Sequence, residues 1–379
     1  MKILVAPDTF KNSLSAKEAA AAIARGISSV LPDAQITILP MADGGEGTVE
    51  TLIGAAGGHI IKTYVSGPLM QKTRSFFGIL ADEHTAVIET AAASGISLLK
   101  KEEMNPLKTT TFGTGELMLE ALKAKCTSII VGLGGSATND AGTGMARALG
   151  VKFYNKSGKL TGEGGGKLNE IEYIDLSGLD TRLKSTRIIA AADVTNPITG
   201  INGATKVFAP QKGASPSEVE QLETNMIHFC KIVKKQLGID ISNLPFGGAA
   251  GGLGAGLSVF TNAELKSGFD LLSENTKLEE KIIMADLIIT GEGTIDRQTL
   301  FGKTPAGIAR LSRKYHKPLV AFAGRIGKNH STLYSAGFTR IISICDSTFS
   351  EEVCLRRAAG FLEIAAEKMI REWIVSTDT

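Results

Sequence analysis

The sequence predicts an α/β protein. A doubly wound parallel-sheet lobe, Rossmann- or flavodoxin-like, is formed by both chain ends, with a mixed α/β lobe inserted between them. Three observations lead there. Short apolar runs alternate with helix-period stretches at the two ends of the chain, the middle holds a meander of short strands, and 43 glycines cluster after apolar runs with no fixed period. A length of 379 residues exceeds what one hydrophobic core normally carries, so two lobes are expected. The expected boundaries are 1–62 with 280–379 for the doubly wound lobe and 63–279 for the inserted one.

Ile3 to Ala6 reads as a short buried strand. Ser15-Ala-Lys-Glu18 is a capping box, and Ala20, Ile23, Ala24, Ile27 and Val30 follow at helical spacing. Pro32-Asp33 breaks the chain before a second strand, Ile36 to Leu39. This β-α-β opening implies a parallel pair with a right-handed crossover. Near the C-terminus the strand candidates are Asp286 to Ile289, Leu319 to Phe322 and Arg340 to Ile344. A last helix places Leu355, Ala358, Leu362, Ala366 and Met369 on one face. In the middle, Tyr64 to Glu89 reads as the meander, with a turn at Gly67-Pro68. Ser128 to Val131 and Arg187 to Ala192 read as buried strands. Ser215-Pro216 opens a long amphipathic helix.

Composition narrows the function. Apolar residues make up 43%, charged residues 21%, and the formal net charge is +2. Lys and Arg are scattered, so no nucleic-acid footprint is expected. No apolar run approaches the roughly 18 residues of a membrane span. Met1 to Ala6 enters a strand with no signal-peptide layout, and a cytoplasmic protein is expected. Cys126, Cys230, Cys345 and Cys354 form no Cys-x-x-Cys pair, so all four read as small buried hydrophobes in a reducing compartment.

Each strand of the outer lobe is followed by a polar cluster. These are Pro7 to Ser13 with Asp8 and Lys11, Ala42 to Gly47 with Asp43 and Glu46, Thr290 to Asp296 with Glu292, Ala323-Gly324-Arg325, and Cys345-Asp346. Ligands of open parallel sheets bind beyond the carboxyl ends of the strands, so these clusters should share one edge. Acids and a base gathered there mark a site. In the inserted lobe, Gly132 to Asp140 runs from a buried strand to a helix, and Gly247 to Gly256 has the same glycine-rich composition. Both suit close backbone approach to an anion, and Gly251 to Gly256 doubles as a hinge candidate.

Two nucleotide motifs fail. Gly132-x-Gly134-x-x-Ala137 lacks the acidic residue about 20 positions on that would take ribose hydroxyls. Gly302-Lys303-Thr304 resembles the end of a P-loop, but Arg297 stands where its first glycine belongs. The residues alone imply an anionic ligand, a phosphate, near carboxylates suited to Mg2+.

An ordered set of segments resembles the type-1 glycerate kinases. It comprises Ala6-Pro-Asp-Thr-Phe-Lys11, Ala42-Asp-Gly-Gly-Glu-Gly47, Asn105 to Glu116, Gly134-Gly-Ser-Ala-Thr-Asn-Asp140, Pro210-Gln-Lys-Gly213, Ala249 to Gly256 and Thr290-Gly-Glu-Gly293. The resemblance spans nearly the whole chain. It implies phosphorylation of D-glycerate with ATP and Mg2+, with 2-phospho-D-glycerate as the product of bacterial members. Where the family commonly has Cys-Asp-Val-x-Asn-Pro, this chain has Ala192-Asp193-Val194-Thr195-Asn196-Pro197, which keeps Asp193 and Asn196.

Phosphoryl transfer rests on positioning and charge neutralisation. Lys11 and Lys303 are assigned to phosphate or glycerate carboxylate, and Gly134, Gly135 and Ser136 to N–H donation. Asp193, Glu292 and Asp296 are the Mg2+ candidates, and Asp43 or Asp193 the base. Asp8, Gly44, Gly45, Glu46, Asn139, Asp140, Asn196 and Gly254 complete the expected substrate and phosphate contacts. Two alternatives stay open: a non-catalytic sensor of small organic acids, and a dehydrogenase of a small hydroxy acid.

Overall fold

The computed structural model describes residues 1–41, 45, 47–296, 299, 304–327, 332–345 and 348–377. Thirteen strands occur among them. In chain order they are β1 Lys2–Val5, β2 Gln35–Ile38, β3 Gly58–Ser66, β4 Lys72–Leu80, β5 Thr85–Glu89, β6 Ser128–Gly132 and β7 Lys152–Tyr154. Then come β8 Tyr173–Asp175, β9 Arg187–Ala192, β10 Glu264–Ser267, β11 Leu287–Ile295, β12 Leu319–Ile326 and β13 Arg340–Ser343. The chain divides into two compact units, Met1–Asp43 with Leu272–Thr379, and Gly44–Leu271. Residues 44–62, expected with the chain ends, belong to the second unit, because β3 pairs along its whole length with β4.

The first unit is a five-stranded sheet in the order β13-β12-β11-β1-β2, all parallel. Ile3 and Val5 alternate with Leu4, and both faces are buried, as a parallel sheet covered by helices requires. Ile3, Val5, Leu287, Ile289, Val320 and Phe322 pack against Ile23, Ile27, Leu362 and Met369 of the helices Ala16–Ser28 and Ala358–Thr377. The first helix starts at the expected capping box, with Ser15 Oγ accepting from Glu18 N. Its Gly26 permits the close approach of the second: a Cβ there would lie 2.2 Å from the Glu363 carbonyl. Arg25 and Glu363 bridge the pair at 2.8 Å, but both are exposed, and such pairs contribute about 0–1 kcal/mol. Burial of each large apolar side chain contributes roughly 1.5–3 kcal/mol, so apolar packing holds the helices together.

Two expectations change here. β11 does not end at Ile289. It continues through Thr290-Gly-Glu-Gly-Thr-Ile295, because β12 runs alongside it as far as Ile326, so Ala323-Gly324-Arg325 is strand as well. The last helix breaks at Arg357, which leaves Leu355 exposed in the separate short helix Glu351–Arg356. Cys345 and Cys354 are joined as a disulfide, against expectation. The chain folds back after β13 and brings their Cα atoms to 5.9 Å. Cys126 and Cys230 are buried and free, and burial pushes the Cys230 thiol up to about 12.

The second unit holds a six-stranded sheet in the order β10-β9-β6-β5-β4-β3. β5, β6, β9 and β10 are parallel, and β4 and β3 extend the sheet antiparallel as the expected meander. Its core joins Ile88, Ile129, Val131 and Ala190 to Leu117, Met118, Leu253 and Leu257 of the helices Phe112–Lys123 and Ala249–Thr261. A second core gathers Phe153, Phe229 and Phe260 with the helix Pro216–Leu237, which begins at the expected cap, Ser215. No helix among the described residues is long and apolar enough to cross a membrane.

Candidate functional site

Each unit presents one candidate edge. In the first, β1 leads to β2 on one side, whereas β11, β12 and β13 build outward on the other. The chain therefore reverses its winding direction between β1 and β11, the place where open parallel sheets bind ligands. Asp8 follows β1 and Glu292 lies in β11, and they are only 6% and 7% exposed. The backbone joins them, since Asp8 N donates to Gly291 O at 2.8 Å. Thr299 Oγ1 donates to Glu292 Oε1 at 2.6 Å and accepts from Asp296 N at 3.2 Å, which places Asp296 in the same group. Lys11 is exposed in the tight turn closed by Ser13 N and Leu14 N on Phe10 O. Gly293 lies beneath this turn, and a Cβ on it would be 3.1 Å from Lys11 N. Four predicted residues, Asp8, Lys11, Glu292 and Asp296, thus share one edge. Asp43, Gly44, Glu46 and Lys303 lie outside the described residues.

In the second unit, the parallel strands end in Glu89, in the turn Gly134-Gly135-Ser136, and in Asp193, which directly follows β9. Gly135 is left-handed, at φ 68°. The carbonyl of Gly135 accepts from Ile96 N, and Ala137 N donates to Ser94 O. The N–H groups of Gly134, Gly135 and Ser136 meet no protein acceptor among the described residues. Consecutive unpaired N–H groups in such a turn form an anion-binding concavity. Gly45 belongs here too: a Cβ on Gly134 would lie 2.3 Å from Gly45 Cα, so only glycine lets the two turns touch. Glu89 is buried and accepts from Val49 N, at the start of the helix Thr48–Ala56.

A residue without an assigned role from sequence sits below this turn. Lys212 is 4% exposed, and its Nζ donates to Ser136 Oγ at 2.8 Å and to Thr138 O at 2.7 Å. Burial draws its ammonium down to about 7, against a weaker opposing pull from Asp140. The only sequence signal was its place in Pro210-Gln-Lys-Gly213. Nothing in that spacing marks the lysine as buried.

Three predicted contact residues are engaged within the protein itself. Asp140 is fully buried and faces inward. Its carboxylate accepts from Thr111 N, Thr111 Oγ1, Gly142 N and Gly144 N. It caps the helix Thr143–Ala148 itself, so that terminus offers no free donors to an anion. Burial raises the Asp140 pKa, and the hydrogen bonds from Thr111, Gly144 and Gly142 oppose that shift. Gly254 lies inside a buried helix, where a Cβ would come 2.4 Å from Phe246 O. The surrounding glycines are tightly packed as well: Gly251 abuts Thr138 O and Gly256 abuts Ala141 O, and residues 250–252 hold left-handed backbone. Asn196 spends its amide on Asn202 O and its backbone carbonyl on Gly248 N, so it ties a loop together. Asn139 is fully buried, with Nδ2 donating to Thr205 Oγ1 and Oδ1 meeting no donor among the described residues.

Among the described residues no three metal-ligating side chains converge. The pair Asp8 and Glu292 nevertheless fits Mg2+, which takes one or two carboxylates and completes its shell with phosphate oxygens and water.

Comparison with known proteins places these features in context. The model of the Glycerate kinase family matches residues 3–374. The chain is 47% identical over 358 residues to the Glycerate 2-kinase of Escherichia coli (strain K12), covering 94% of each. It is 47% identical over 366 residues to the Glycerate kinase of Bacillus subtilis (strain 168), covering 97% of this chain and 96% of that one. A crystal structure of a Salmonella typhimurium LT2 protein named for glycerate kinase 2 superposes with a TM-score of 0.87 at 41% identity, covering all of both chains.

Proposed function

The chain belongs to the glycerate kinase family, and from that premise we propose that it acts as a type-1 member, moving the γ-phosphoryl group of ATP to D-glycerate with Mg2+ to give 2-phospho-D-glycerate. It is a glycerate kinase enzyme, and its reaction is glycerate phosphorylation. The observation that carries the finer reading is the pair of buried carboxylates, Asp8 and Glu292, on either side of the switch point in the parallel sheet. A sensor of organic acids has no use for such a pair, and a dehydrogenase needs a ribose-binding acid that the glycine turn lacks.

In this reading the pair Asp8 and Glu292 would hold Mg2+, with Asp296 linked to Glu292 through Thr299. When bound, the ion supplies charge neutralisation on the phosphate oxygens and orients them. Lys11 adds a positive charge on the same edge, free to swing because it is exposed. The N–H groups of Gly134, Gly135 and Ser136 receive anionic oxygens without rearrangement, since the turn is already fixed by its bonds to residues 94–96. The attacking hydroxyl needs a carboxylate to accept its proton, and Asp193, or Asp43 beyond the described residues, takes that role.

The test is ADP release by the purified protein. ADP should appear only when D-glycerate, ATP and Mg2+ are all present, and phosphorus NMR should identify the 2-phospho isomer. Equal turnover without glycerate, or without a divalent metal, would remove this reading. A 3-phospho product would correct the position alone.

A further inference from the structure

The surroundings of the β6 turn hold more hydrogen-bonding capacity than the protein uses. An ammonium group has three donors, and Lys212 employs two, on Ser136 Oγ and Thr138 O. Its third meets no protein acceptor among the described residues. Three backbone N–H groups, of Gly134, Gly135 and Ser136, are likewise unmet by protein acceptors among the described residues. A buried ammonium with an unused donor is costly, so a ligand that completes it is favoured.

The donors ask for anionic oxygens, and the one cation among them matches the single charge of a carboxylate better than the near-double charge of a terminal phosphate. We propose that Lys212 and the turn Gly134-Gly135-Ser136 form the subsite that holds the carboxylate of glycerate, with Lys212 as the charge that recognises the acid. This rests on the glycerate kinase reading and deepens it. Gly135 is exposed, which leaves the turn open to a ligand, while Lys212 below it is shielded from water.

Charge supports the geometry. Asp140 is the charged group acting on Lys212, and Arg147 and Glu163, which pair with each other at 3.2 Å, both act on Asp140. With burial holding the ammonium near 7, much of the ligand-free protein carries a neutral Lys212 at pH 8. A carboxylate placed against it restores the proton.

The experiment combines steady-state kinetics of wild type, Lys212→Met and Lys212→Arg with calorimetry of D-glycerate binding at pH 8 in two buffers of different ionisation enthalpy. The expected result is a KM for glycerate raised at least tenfold in Lys212→Met, an ATP KM within twofold of wild type, and partial recovery in Lys212→Arg. Wild type should take up a substantial fraction of a proton per glycerate bound, and Lys212→Met should not. If the ATP KM moves instead, the subsite holds nucleotide phosphate and the proposal is overturned. If only the melting temperature falls, Lys212 is a structural post and the proposal is equally overturned. If Lys212→Met does not fold, the wild-type protein decides alone, because binding without proton uptake refutes the assignment. Glycerate that binds with proton uptake but is never phosphorylated would sink the kinase reading and leave the subsite standing.

Discussion

In the proposed reading, Lys11 and Lys212 carry charge to a site in different ways. Lys11 stands exposed in a turn that the backbone closes by itself, so its side chain contributes little to the fold. Lys11→Met is expected to lower kcat/KM at least about tenfold, since hydrogen bonds to charged groups contribute roughly 1.5–3 kcal/mol. The melting temperature should barely move. Kinetics near wild type would reduce Lys11 to a solvated turn residue. Lys11 was legible in the sequence because it follows a strand and sits beside Asp8. Lys212 was not, because nothing local to Pro210-Gln-Lys-Gly213 reveals that the segment folds under a turn 76 residues away. Asp140 misled for the opposite reason. An acid after glycines and before a helix suits both a ligand contact and a cap, and only the donors gathered around it favour the cap.

At the level of elements, pattern located the strands well and their ends poorly. Arg187–Ala192 is where its apolar run lies, because all of it but its first residue is buried. β11 outruns its apolar run, because its later residues are fixed by pairing with β12, and pairing has no signature in a single segment. Glycines pose the same difficulty. Gly134 and Gly135 shape a turn whose N–H groups meet no acceptor among the described residues, whereas Gly251, Gly252 and Gly256 bring the helix Ala249–Thr261 against residues 138–142. Composition is alike in the two segments, and function differs with what lies against them. Gly254→Ala tests the packing role. A Cβ 2.4 Å from Phe246 O forces a shift, and overpacking of this kind costs typically about 1–3 kcal/mol. Thermal melting should register a clear fall, while kcat of the folded fraction stays near wild type. A reduced kcat at an unchanged melting temperature would restore the hinge.

For the whole molecule, the decisive feature is that β1 lies between β2 and β11 in one sheet. That order puts Asp8, just beyond β1, beside the neighbouring strand that carries Glu292, although the two are far apart in sequence, and it creates the switch point there. It has a second effect, on the timing of synthesis. Ala6 finds its partner Thr290 only 284 residues later, and at about 5–20 residues per second that wait lasts roughly 15–60 s. Throughout it, Ile3, Leu4 and Val5 form an open edge with no neighbour on that side, a surface that other nascent chains can pair with. The stretch 44–271, by contrast, contains all the strands of its own sheet and can fold as soon as it emerges. Expressed alone, it should show cooperative melting and slow amide exchange in β6 and β9. An unstructured fragment would mean that the ribosome releases a chain in which nothing has yet folded, and that the exposed edge at the N-terminus is guarded by chaperones alone.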